Sequence, residues 1–290
     1  MVIVYCSSQH IDTLYVTQNM TYDSKYGHYF HSSFVGVEYG SKVFDHTGKG
    51  NYIYLLRPTP ELWTLAMNHR TEILYSGDIS LILLQLEIKP GSTVVESGTG
   101  SGSLSTAFAR SLAPNGHLYT YEFHQERAEA AKVDFQKNKV DHLITVKCAD
   151  ACEDGFSDRP DGSVDAIFLD LPSPWLVAPN ANKRLRANGK LCSFSPCIEQ
   201  VQKMCESLTT SGFSEITTVE CLVRNYEVKN IAEELEDEEE EEKKKKKKMK
   251  RKTPKQKPKS SKPDTVVFFP VPTSRGHTGY LTFATKLLSS

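Results

Sequence analysis

The chain has 290 residues, of which 39% are hydrophobic and 24% are charged, and its formal net charge at pH 7 is −1. This length suits one large domain, or a main domain with a small one. Because the sequence has no apolar run of about 18 residues and no charged-then-apolar leader, we expect neither a membrane-spanning nor a secreted protein. The seven cysteines form no CxxC pair, which argues against a metal site and favours free, mostly buried thiols in a reducing compartment.

The near-zero net charge hides a division along the chain. Residues 233–262 hold 9 acidic and 13 basic residues, so the remaining 27 acidic and 22 basic residues carry a net charge of −5. Blocks of like charge cannot bury apolar surface, so residues 233–262 are predicted to be a disordered insertion. Its basic half, residues 243–252, is interpreted as a nuclear localisation signal or an RNA tether, with a plain solvated loop as the alternative. RNA affinity would otherwise need a local patch or a partner subunit, because the remaining chain is acidic.

Residues 1–57 are predicted to form a small N-terminal β domain. Periodicity is weak up to about residue 38, and a β-hairpin pattern then runs from Val35 to Leu56. The Pro-Thr-Pro sequence at 58–60 ends these strands. Two helices are expected next, near 61–69 and 73–86.

From residue 58 to residue 290, strand and helix patterns alternate. Strands are predicted near 93–97, 118–122, 144–147, 164–169, 190–194, 213–223 and 280–284, and helices near 103–112, 125–137 and 197–210. This alternation predicts an α/β domain whose parallel sheet is covered on both faces. Ligands of such sheets bind beyond the carboxyl ends of the strands.

A glycine-rich segment follows the first of these strands. Glu96 ends an apolar run, and Gly98, Gly100 and Gly102 then alternate with small polar residues before a helical pattern begins. Glycine permits positive φ and lets a ligand lie against the backbone. The spacing differs from the GxGxxG of dinucleotide-binding loops, and with the acid before it suits a cationic ligand with an amino-acid tail, such as S-adenosylmethionine. A flexible Ser/Gly loop is the alternative.

The next two strands also end at acidic residues. Glu122 ends the second strand, where its two oxygens could accept both hydroxyls of a ribose, although it could equally be a solvated strand end. Asp150 follows the third strand and could accept a hydrogen bond from the exocyclic amine of an adenine. The alternative is that Asp150 is the N-cap of whatever element follows it.

A buried strand then delivers Asp170, which is followed by Pro172, Pro174 and Trp175. The prolines are expected to fix an extended backbone that holds Asp170 at the mouth of the cofactor pocket. Trp175 offers a flat face on which a base could stack, worth about 1–3 kcal/mol. The alternative is an Asp-x-Pro turn with the Trp side chain in the core. Further along, Ser195 is predicted to cap the next helix and Cys197 to be a packing residue rather than a nucleophile.

Together these segments resemble the catalytic subunits of tRNA adenine-58 N1-methyltransferases. The matching segments are residues 58–64, 96–103, 122–128, 169–175, 193–202 and 277–286. The resemblance implies a seven-stranded, Rossmann-like class I methyltransferase sheet beside the small N-terminal β domain. It also implies S-adenosylmethionine as the cofactor, methyl transfer to N1 of adenosine 58 in tRNA, and Asp170 in the active site.

The resemblance further implies which residues contact each ligand. The residues predicted to contact the cofactor, including those of the glycine-rich segment, are Leu74, Glu96, Gly98, Gly100, Ser101, Gly102, Ser103, Glu122, Arg127, Asp150 and Ala151. The residues predicted to contact the substrate are Pro172, Trp175, Ser193, Ser195 and Thr278. The family also implies a heterotetramer of two catalytic and two related non-catalytic subunits, the latter supplying much of the grip on tRNA. We expect the protein in the nucleus.

The chemistry demands little of the protein, because N1 of adenine already has a lone pair. We expect Asp170 to accept a hydrogen bond from the adenine amine, which orients the base and stabilises the positive charge that develops. Two alternatives stay open: a class I methyltransferase that acts on a protein or small molecule, and a non-catalytic RNA-binding subunit.

Overall fold

The structure is a computed structural model that describes residues 1–7, 10–230, 266–271 and 278–287. The chain forms two compact units, Met1–Cys221 with Thr278–Ser290, and Leu222–His277. The predicted charged insertion at 233–262 lies outside the described residues. Within the described part of the chain, no helix is both long enough and apolar enough to cross a membrane.

The first unit begins with a small antiparallel sheet and a separate hairpin. Their strands are β1 (Val2–Ser7), β2 (His10–Leu14), β3 (Thr21–Ser24), β4 (Gly27–Phe30), β5 (Lys42–Phe44) and β6 (Tyr52–Leu56). The sheet has the order β2-β1-β6-β5, and β3 pairs with β4. The predicted hairpin over 35–56 corresponds to β5 and β6, which pair antiparallel. Val4, Tyr29, Ile53 and Leu55 belong to the buried core of this region.

Two helices follow the small sheet. In α1 (Pro60–Ala66), the Thr59 side chain accepts a hydrogen bond from the backbone N–H of Leu62, and Pro60 occupies the first helical position. The second helix is α2 (Ser76–Gln85). Both are shorter than the predicted spans of 61–69 and 73–86.

The main sheet has seven strands. They are β7 (Thr93–Ser97), β8 (His117–Glu122), β9 (Ile144–Cys148), β10 (Val164–Leu169), β11 (Leu185–Ser195), β12 (Phe213–Val219) and β15 (Tyr280–Lys286). Their order is β12-β15-β11-β10-β7-β8-β9. The five strands from β11 to β9 run parallel, and β15 pairs antiparallel with both β11 and β12. The predicted seven-stranded, Rossmann-like α/β sheet is therefore confirmed, although β11 starts earlier and β12 ends earlier than predicted.

Together with α2, five further helices cover the two faces of this sheet. They are α3 (Ser103–Leu112), α4 (Gln125–Lys137), α5 (Ala151–Asp154), α6 (Ala178–Arg184) and α7 (Ile198–Thr210). One apolar core, which includes Phe108, Phe135 and Phe168, contains side chains of α2, α3 and α4. The other, which includes Leu191 and Met204, contains side chains of α6 and α7. The sheet is thus covered on both faces, as predicted.

The start of α7 differs from the prediction. The N-cap is Cys197, whose backbone N–H donates to Gln200 Oε1 at 3.2 Å, whereas Ser195 is the last, buried residue of β11. Cys197 is exposed, so its interpretation as a packing residue is wrong. All seven cysteines are free, but only Cys192 is buried. The expectation of mostly buried thiols is also wrong, because several cysteines lie at the ends of strands and helices.

The described part of the Leu222–His277 unit is a two-stranded antiparallel hairpin, formed by β13 (Tyr226–Asn230) and β14 (Val266–Pro270). Val228 pairs directly with Phe268, and residues two apart along a strand point to the same face. Tyr226, Val228 and Phe268 therefore share one face of the hairpin, where their exposed fractions are 57%, 60% and 70%. We call this surface the hairpin face.

Candidate active site

The glycine turn and Asp170 meet because β7 and β10 are neighbouring parallel strands. Ser97 pairs with Leu169, and the Asp170 backbone N–H donates to the Ser97 carbonyl at 2.9 Å. Gly98 has a φ of +97°, and a Cβ built on it would lie 2.2 Å from the Asp170 carbonyl oxygen. A side chain at this position is excluded by both conformation and space. The structure therefore places the backbone of Asp170 directly against the glycine turn.

Ser101 fixes the turn to the chain segment that precedes α2. Its Oγ accepts hydrogen bonds from the backbone N–H groups of Arg70 at 2.9 Å and Thr71 at 3.2 Å. The Arg70 guanidinium in turn pairs with Asp134 on α4 at 2.6 Å. Arg70 and Thr71 were missed in the sequence because they lie in a stretch without a motif. The Ser101 hydroxyl already accepts two hydrogen bonds within the protein. The predicted contact of Ser101 with the cofactor would therefore be made by its backbone atoms.

Ser103 makes a similar connection to Leu74. Its Oγ donates to the Leu74 carbonyl at 3.2 Å and forms a second hydrogen bond, 2.8 Å long, with Thr64 Oγ1. Leu74 and Ser103 are both buried. Two predicted cofactor residues thus lie together, and Thr64 is a supporting residue that sequence reasoning missed.

Glu122 joins the glycine turn to the start of α4. Its Oε2 accepts from the Gly100 backbone N–H at 2.9 Å, and its Oε1 accepts from the His124 backbone N–H at 3.1 Å. Arg127 Nε lies 3.1 Å from Oε1. From the sequence, both Glu122 oxygens were predicted to accept ribose hydroxyls. In the structure, each oxygen already accepts a hydrogen bond within the protein. A carboxylate has about four lone-pair sites, so ribose hydroxyls would use the remaining ones.

An open cavity lies at the start of α4. Its volume is about 610 Å³, and it is lined by His124, Gln125, Glu126 and Arg127. Phe123, between Glu122 and this cavity in sequence, is exposed. Aromatic faces bind flat bases, so Phe123 is a further residue that could contact an adenine ring.

Glu96 lies on β7, two residues before the first glycine of the turn. Its side chain is 1% exposed and accepts a 2.5 Å hydrogen bond from Ser105 Oγ on α3. Burial raises the pKa of Glu96 to about 7, and the charges of Asp170 and Glu122 add to the rise. Contact of Glu96 with a cofactor stays a prediction. In the structure, its hydrogen bond with Ser105 joins β7 to α3.

The carboxyl groups of Glu96, Glu122 and Asp170 lie close enough around the turn for their charges to raise the pKa of Glu96 and of Asp170. Burial raises the pKa of Asp170 to about 6, and the neighbouring charge of Glu122 accounts for the smaller part of this rise. Like charges in a desolvated place disfavour one another, and a cation between them relieves this repulsion. The residues present therefore fit a ligand that carries a positive charge, such as the sulfonium of S-adenosylmethionine.

Asp150 and Ala151 lie at the start of α5. Asp150 Oδ1 accepts a hydrogen bond from the Cys152 backbone N–H at 2.8 Å, which confirms the N-cap interpretation. Ala151 is buried as the first residue of the helix. Contact of either residue with an adenine stays a prediction, since the cap uses only one of the two Asp150 oxygens.

The segment after Asp170 packs toward α7. The Pro172 carbonyl accepts from Gln200 Nε2 at 3.2 Å, and Pro174 begins a short 3-10 helix, so the expected extended backbone is wrong from this point. Trp175 is half-buried against the core on the α7 side, and Lys203 Nζ lies 4.9 Å from its ring centroid. The packing agrees with the core interpretation of Trp175, while base stacking stays a prediction.

The other predicted substrate residues lie on β11 and just before β15. Ser193 pairs with Thr282 and Ser195 with Tyr280. Both serine side chains are buried, yet neither hydroxyl has a hydrogen-bond partner among the described residues. Thr278 is exposed at the same end of the sheet. We call the turn between β7 and α3, where predicted cofactor residues lie, the cofactor side, and the ends of β11 and β15, where predicted substrate residues lie, the substrate side.

Comparison with protein families gives a match over most of the chain. The family described as "tRNA methyltransferase complex GCD14 subunit" matches residues 51–286. The chain belongs to this family. The resemblance found in the sequence is thereby confirmed.

Curated relatives of this GCD14 family member are each named tRNA (adenine(58)-N(1))-methyltransferase catalytic subunit. One from Dictyostelium discoideum is 43% identical over 299 residues, covering 99% of this chain and 95% of the relative. One from Candida albicans is 40% identical over 232 residues, covering 79% and 69%. The chain spans only 52% of a Cryptococcus neoformans relative that is also 40% identical.

Two solved structures share the fold of this GCD14 family member. A SAM-dependent O-methyltransferase from Thermotoga maritima has a TM-score of 0.78 at 24% identity, covering 100% of this chain and 93% of that one. The tRNA (m1A58) methyltransferase TrmI from Aquifex aeolicus has a TM-score of 0.71 at 23% identity, covering 99% and 97%. At these identities the likeness establishes the class I methyltransferase fold.

Proposed function

We propose that this chain is the catalytic subunit of a tRNA (adenine-58-N1)-methyltransferase that uses S-adenosylmethionine. The observation that carries the proposal is the packing of the Gly98 turn on Asp170, beside the buried carboxylate of Glu122. This arrangement puts a cofactor-binding turn and an acid of raised pKa at one edge of the sheet. Membership of the GCD14 family and the names of its relatives support the choice of substrate.

Glu122, Arg127 and the backbone of the glycine turn would hold the cofactor, which supplies an electrophilic methyl group when bound. Transfer of this methyl to the N1 lone pair would give the adenine one positive charge and leave the donor sulfur as a neutral thioether. Asp170 accepts a hydrogen bond from the exocyclic amine, which orients N1 and offsets that charge. A pKa of about 6 leaves Asp170 ionised at neutral pH, as this role requires. The target base must first turn out of its stack in the RNA.

Replacing Asp170 tests this mechanism. Asp170→Asn removes the charge but keeps the shape, so we expect cofactor affinity within about threefold of wild type and a fall in kcat of about 100-fold or more. Activity of the wild type should rise with pH through about 6, as Asp170 ionises, and the variant should lose this dependence. Calorimetry with cofactor and methylation of a tRNA transcript give the two readouts. Asp141→Asn, at an exposed acid, is the control, and near-normal turnover by Asp170→Asn would refute the role.

We also propose a heterotetramer with two related non-catalytic subunits that supply much of the grip on tRNA. The net charge of −5 outside 233–262 supports a partner, because such a chain has no overall attraction for RNA. The exposed hairpin face supports it too, since contiguous apolar surface commonly marks an interface. Phe268→Asp should abolish co-purification of the partner, whereas Leu84→Asp, at a similarly exposed residue of α2, should not. An intact complex with Phe268→Asp contradicts this use of the hairpin face.

The lysine-rich run at 243–252 supports a nuclear location for the enzyme. Replacing the six lysines of 243–248 by serine should shift a fluorescently tagged chain out of the nucleus. Unchanged nuclear fluorescence would assign the run another role.

A further inference from the structure

Residues 67–75, which we call the connecting segment, join α1 to α2 and form neither helix nor strand. Regular backbone hydrogen bonding therefore does not fix their position, and contacts with other parts of the chain must do so. Leu74, one of the predicted cofactor residues, belongs to this segment, and its carbonyl accepts a hydrogen bond from Ser103 Oγ. A movement of the connecting segment would thus move part of the cofactor side.

The connecting segment packs directly on the glycine turn. Ser101 Oγ accepts hydrogen bonds from the backbone N–H groups of Arg70 and Thr71, and Thr71 Oγ1 lies 3.2 Å from the same oxygen. A Cβ built on Gly100 would lie 2.8 Å from Thr71 Oγ1. The segment therefore occupies the space that a side chain at Gly100 would need.

The Arg70 side chain joins the connecting segment to α4. Its Nη1 lies 2.6 Å from Asp134 Oδ2, and its Nη2 donates to the Ser101 carbonyl at 3.4 Å. The side chains of Arg70 and Asp134 are 26% and 27% exposed, so water screens this ion pair less than one at a fully exposed position. One guanidinium thus contacts both α4 and the glycine turn.

Helix α4 also supports the turn at two other points. Arg127 lies seven residues before Asp134, hence on the same face of the helix, and it pairs with Glu122, whose other oxygen holds the turn. A Cβ built on Gly102 would lie 2.9 Å from Cε1 of the Phe135 ring. The turn is therefore fixed to α4, and the ion pair of Asp134 fixes the connecting segment to the same helix.

We propose that Arg70 is a positioning residue for the cofactor: its ion pair with Asp134 keeps the connecting segment closed on the glycine turn and so raises the affinity for S-adenosylmethionine. The proposal rests on the proposed function, because it takes this turn as the cofactor site. Without the ion pair, the segment leaves the turn for part of the time, and only the closed fraction binds the cofactor at full affinity.

A double-mutant cycle tests the proposal. Calorimetry on the full chain should show that Arg70→Gln and Asp134→Asn each raise Kd for S-adenosylmethionine about fivefold. The double variant should bind no worse than Arg70→Gln, because both changes remove the same ion pair. In each variant, the backbone N–H groups of Arg70 and Thr71 should exchange with solvent at least about fivefold faster.

Two further readouts separate positioning from a purely structural role. Midpoints of thermal unfolding should stay within about 3 °C of wild type, because partly exposed ion pairs contribute little to stability. At saturating cofactor, kcat/KM of the complete enzyme for a tRNA transcript should stay within about twofold of wild type, because the substrate side is unchanged.

Glu61→Gln is the matched control. It breaks the 2.5 Å ion pair between Glu61 on α1 and Arg110 on α3, whose side chains are more exposed and do not reach the connecting segment. Kd for the cofactor should stay within about twofold of wild type. Arg70→Lys keeps the positive charge and covers the case in which Arg70→Gln folds poorly; we expect its Kd within about threefold of wild type.

An unchanged Kd for Arg70→Gln overturns the proposal, and so do additive losses in the cycle. A Lys variant as weak as the Gln variant, or a lower kcat/KM for tRNA at saturating cofactor, also overturns it. Because calorimetry needs no RNA, the two proposals fail in distinguishable ways. A wild-type enzyme that binds S-adenosylmethionine but methylates no tRNA would overturn the proposed function.

Discussion

The cofactor side and the substrate side of this sheet edge differ in how their buried polar groups are satisfied. On the cofactor side, the side chains of Ser101, Ser103 and Glu122 all make hydrogen bonds within the protein. On the substrate side, the buried hydroxyls of Ser193 and Ser195 have no partner among the described residues. A buried polar group without a partner costs about 1–3 kcal/mol. The cofactor side is thus already organised, whereas the substrate side keeps hydrogen-bonding capacity that a ligand could use.

This difference suits a site whose cofactor side is formed in advance and whose substrate side gains hydrogen bonds when the base binds. A rigid turn can take up the cofactor without rearrangement, so little of the binding free energy is lost to ordering. Groups that gain their partners only when the base arrives contribute to recognition of that base. Variants on the two sides should therefore fail in different ways, and the expected effects can be ranked.

The largest effect is expected for Gly98→Ala. The new Cβ would lie 2.2 Å from the Asp170 carbonyl oxygen, in a backbone conformation that alanine disfavours. We expect a loss of at least about 3 kcal/mol in the free energy of unfolding and no measurable methylation, from thermal unfolding and transfer assays. Gly91→Ala is the matched control, because Gly91 has a φ of +88° but no atom within 4 Å of its Cβ position. Equal effects of the two variants would mean that backbone strain, rather than the contact with Asp170, decides the outcome.

The second effect concerns Glu96, whose hydrogen bond with Ser105 joins β7 to α3 on the cofactor side. Its pKa in the folded state, about 7, lies above its ordinary value of 4.5. The protonated form therefore favours the fold, and this contribution is complete below pH 4.5 and is lost as the pH rises through 7. Glu96→Gln should flatten this part of the pH dependence, on the order of 3 kcal/mol between the two pH values. Denaturant unfolding at pH 4.5, 6 and 8 measures it, and parallel curves for wild type and variant would contradict the buried position of Glu96.

A smaller effect is expected when the carboxylate next to Arg127 is neutralised. Glu122→Gln weakens the charge-assisted hydrogen bonds with Arg127 and the Gly100 N–H, so the turn is held less firmly. We expect cofactor affinity to fall about tenfold by calorimetry, with KM for RNA nearly unchanged. Asp141→Asn, at an exposed acid outside the cavity lining, should leave both values unchanged. A rise in KM for RNA alone would mean that Glu122 serves the substrate side rather than the cofactor side.

The smallest effects separate two buried serines. Ser101→Ala leaves the backbone N–H groups of Arg70 and Thr71 without their acceptor, so we expect a loss of about 1–2 kcal/mol in stability. Ser195→Ala removes a buried hydroxyl that has no partner among the described residues, so stability should rise by about 1 kcal/mol rather than fall. Thermal unfolding compares the two. If Ser195 contacts the substrate as predicted, Ser195→Ala should also raise KM for RNA, whereas Ser101→Ala should not.

The sequence predicted best where local pattern and tertiary environment agree. The spans of α3 and α4 match the predictions in both bounds, because their apolar residues recur at helical spacing. The helices α5 and α6 were missed, since four and seven residues are too few to show a period. The strands before residue 38 were indistinct because most of their side chains are only partly buried.

Within the site, the sequence indicated which residues gather but not how they bond. The glycine turn, Glu122 and Asp170 were located from their positions after strands, and the structure brings them to one edge of the sheet. The burial of Glu96 and the hydrogen bonds of Arg70 to Ser101 depend on contacts between distant segments. Strand β7 is buried on both faces, so no alternation in sequence could tell which side chain faces a ligand.

Strand β15 lies between β11 and β12 in the sheet, although it comes later in the chain than both. On the ribosome, β11 and β12 are therefore made well before the strand that joins them. Until residues 280–286 leave the exit tunnel, the facing edges of both strands present unpaired backbone groups that can pair with other chains. The newly made polypeptide is therefore open to wrong strand pairing during this interval, and each residue of the Glu/Lys-rich stretch before β15 lengthens it.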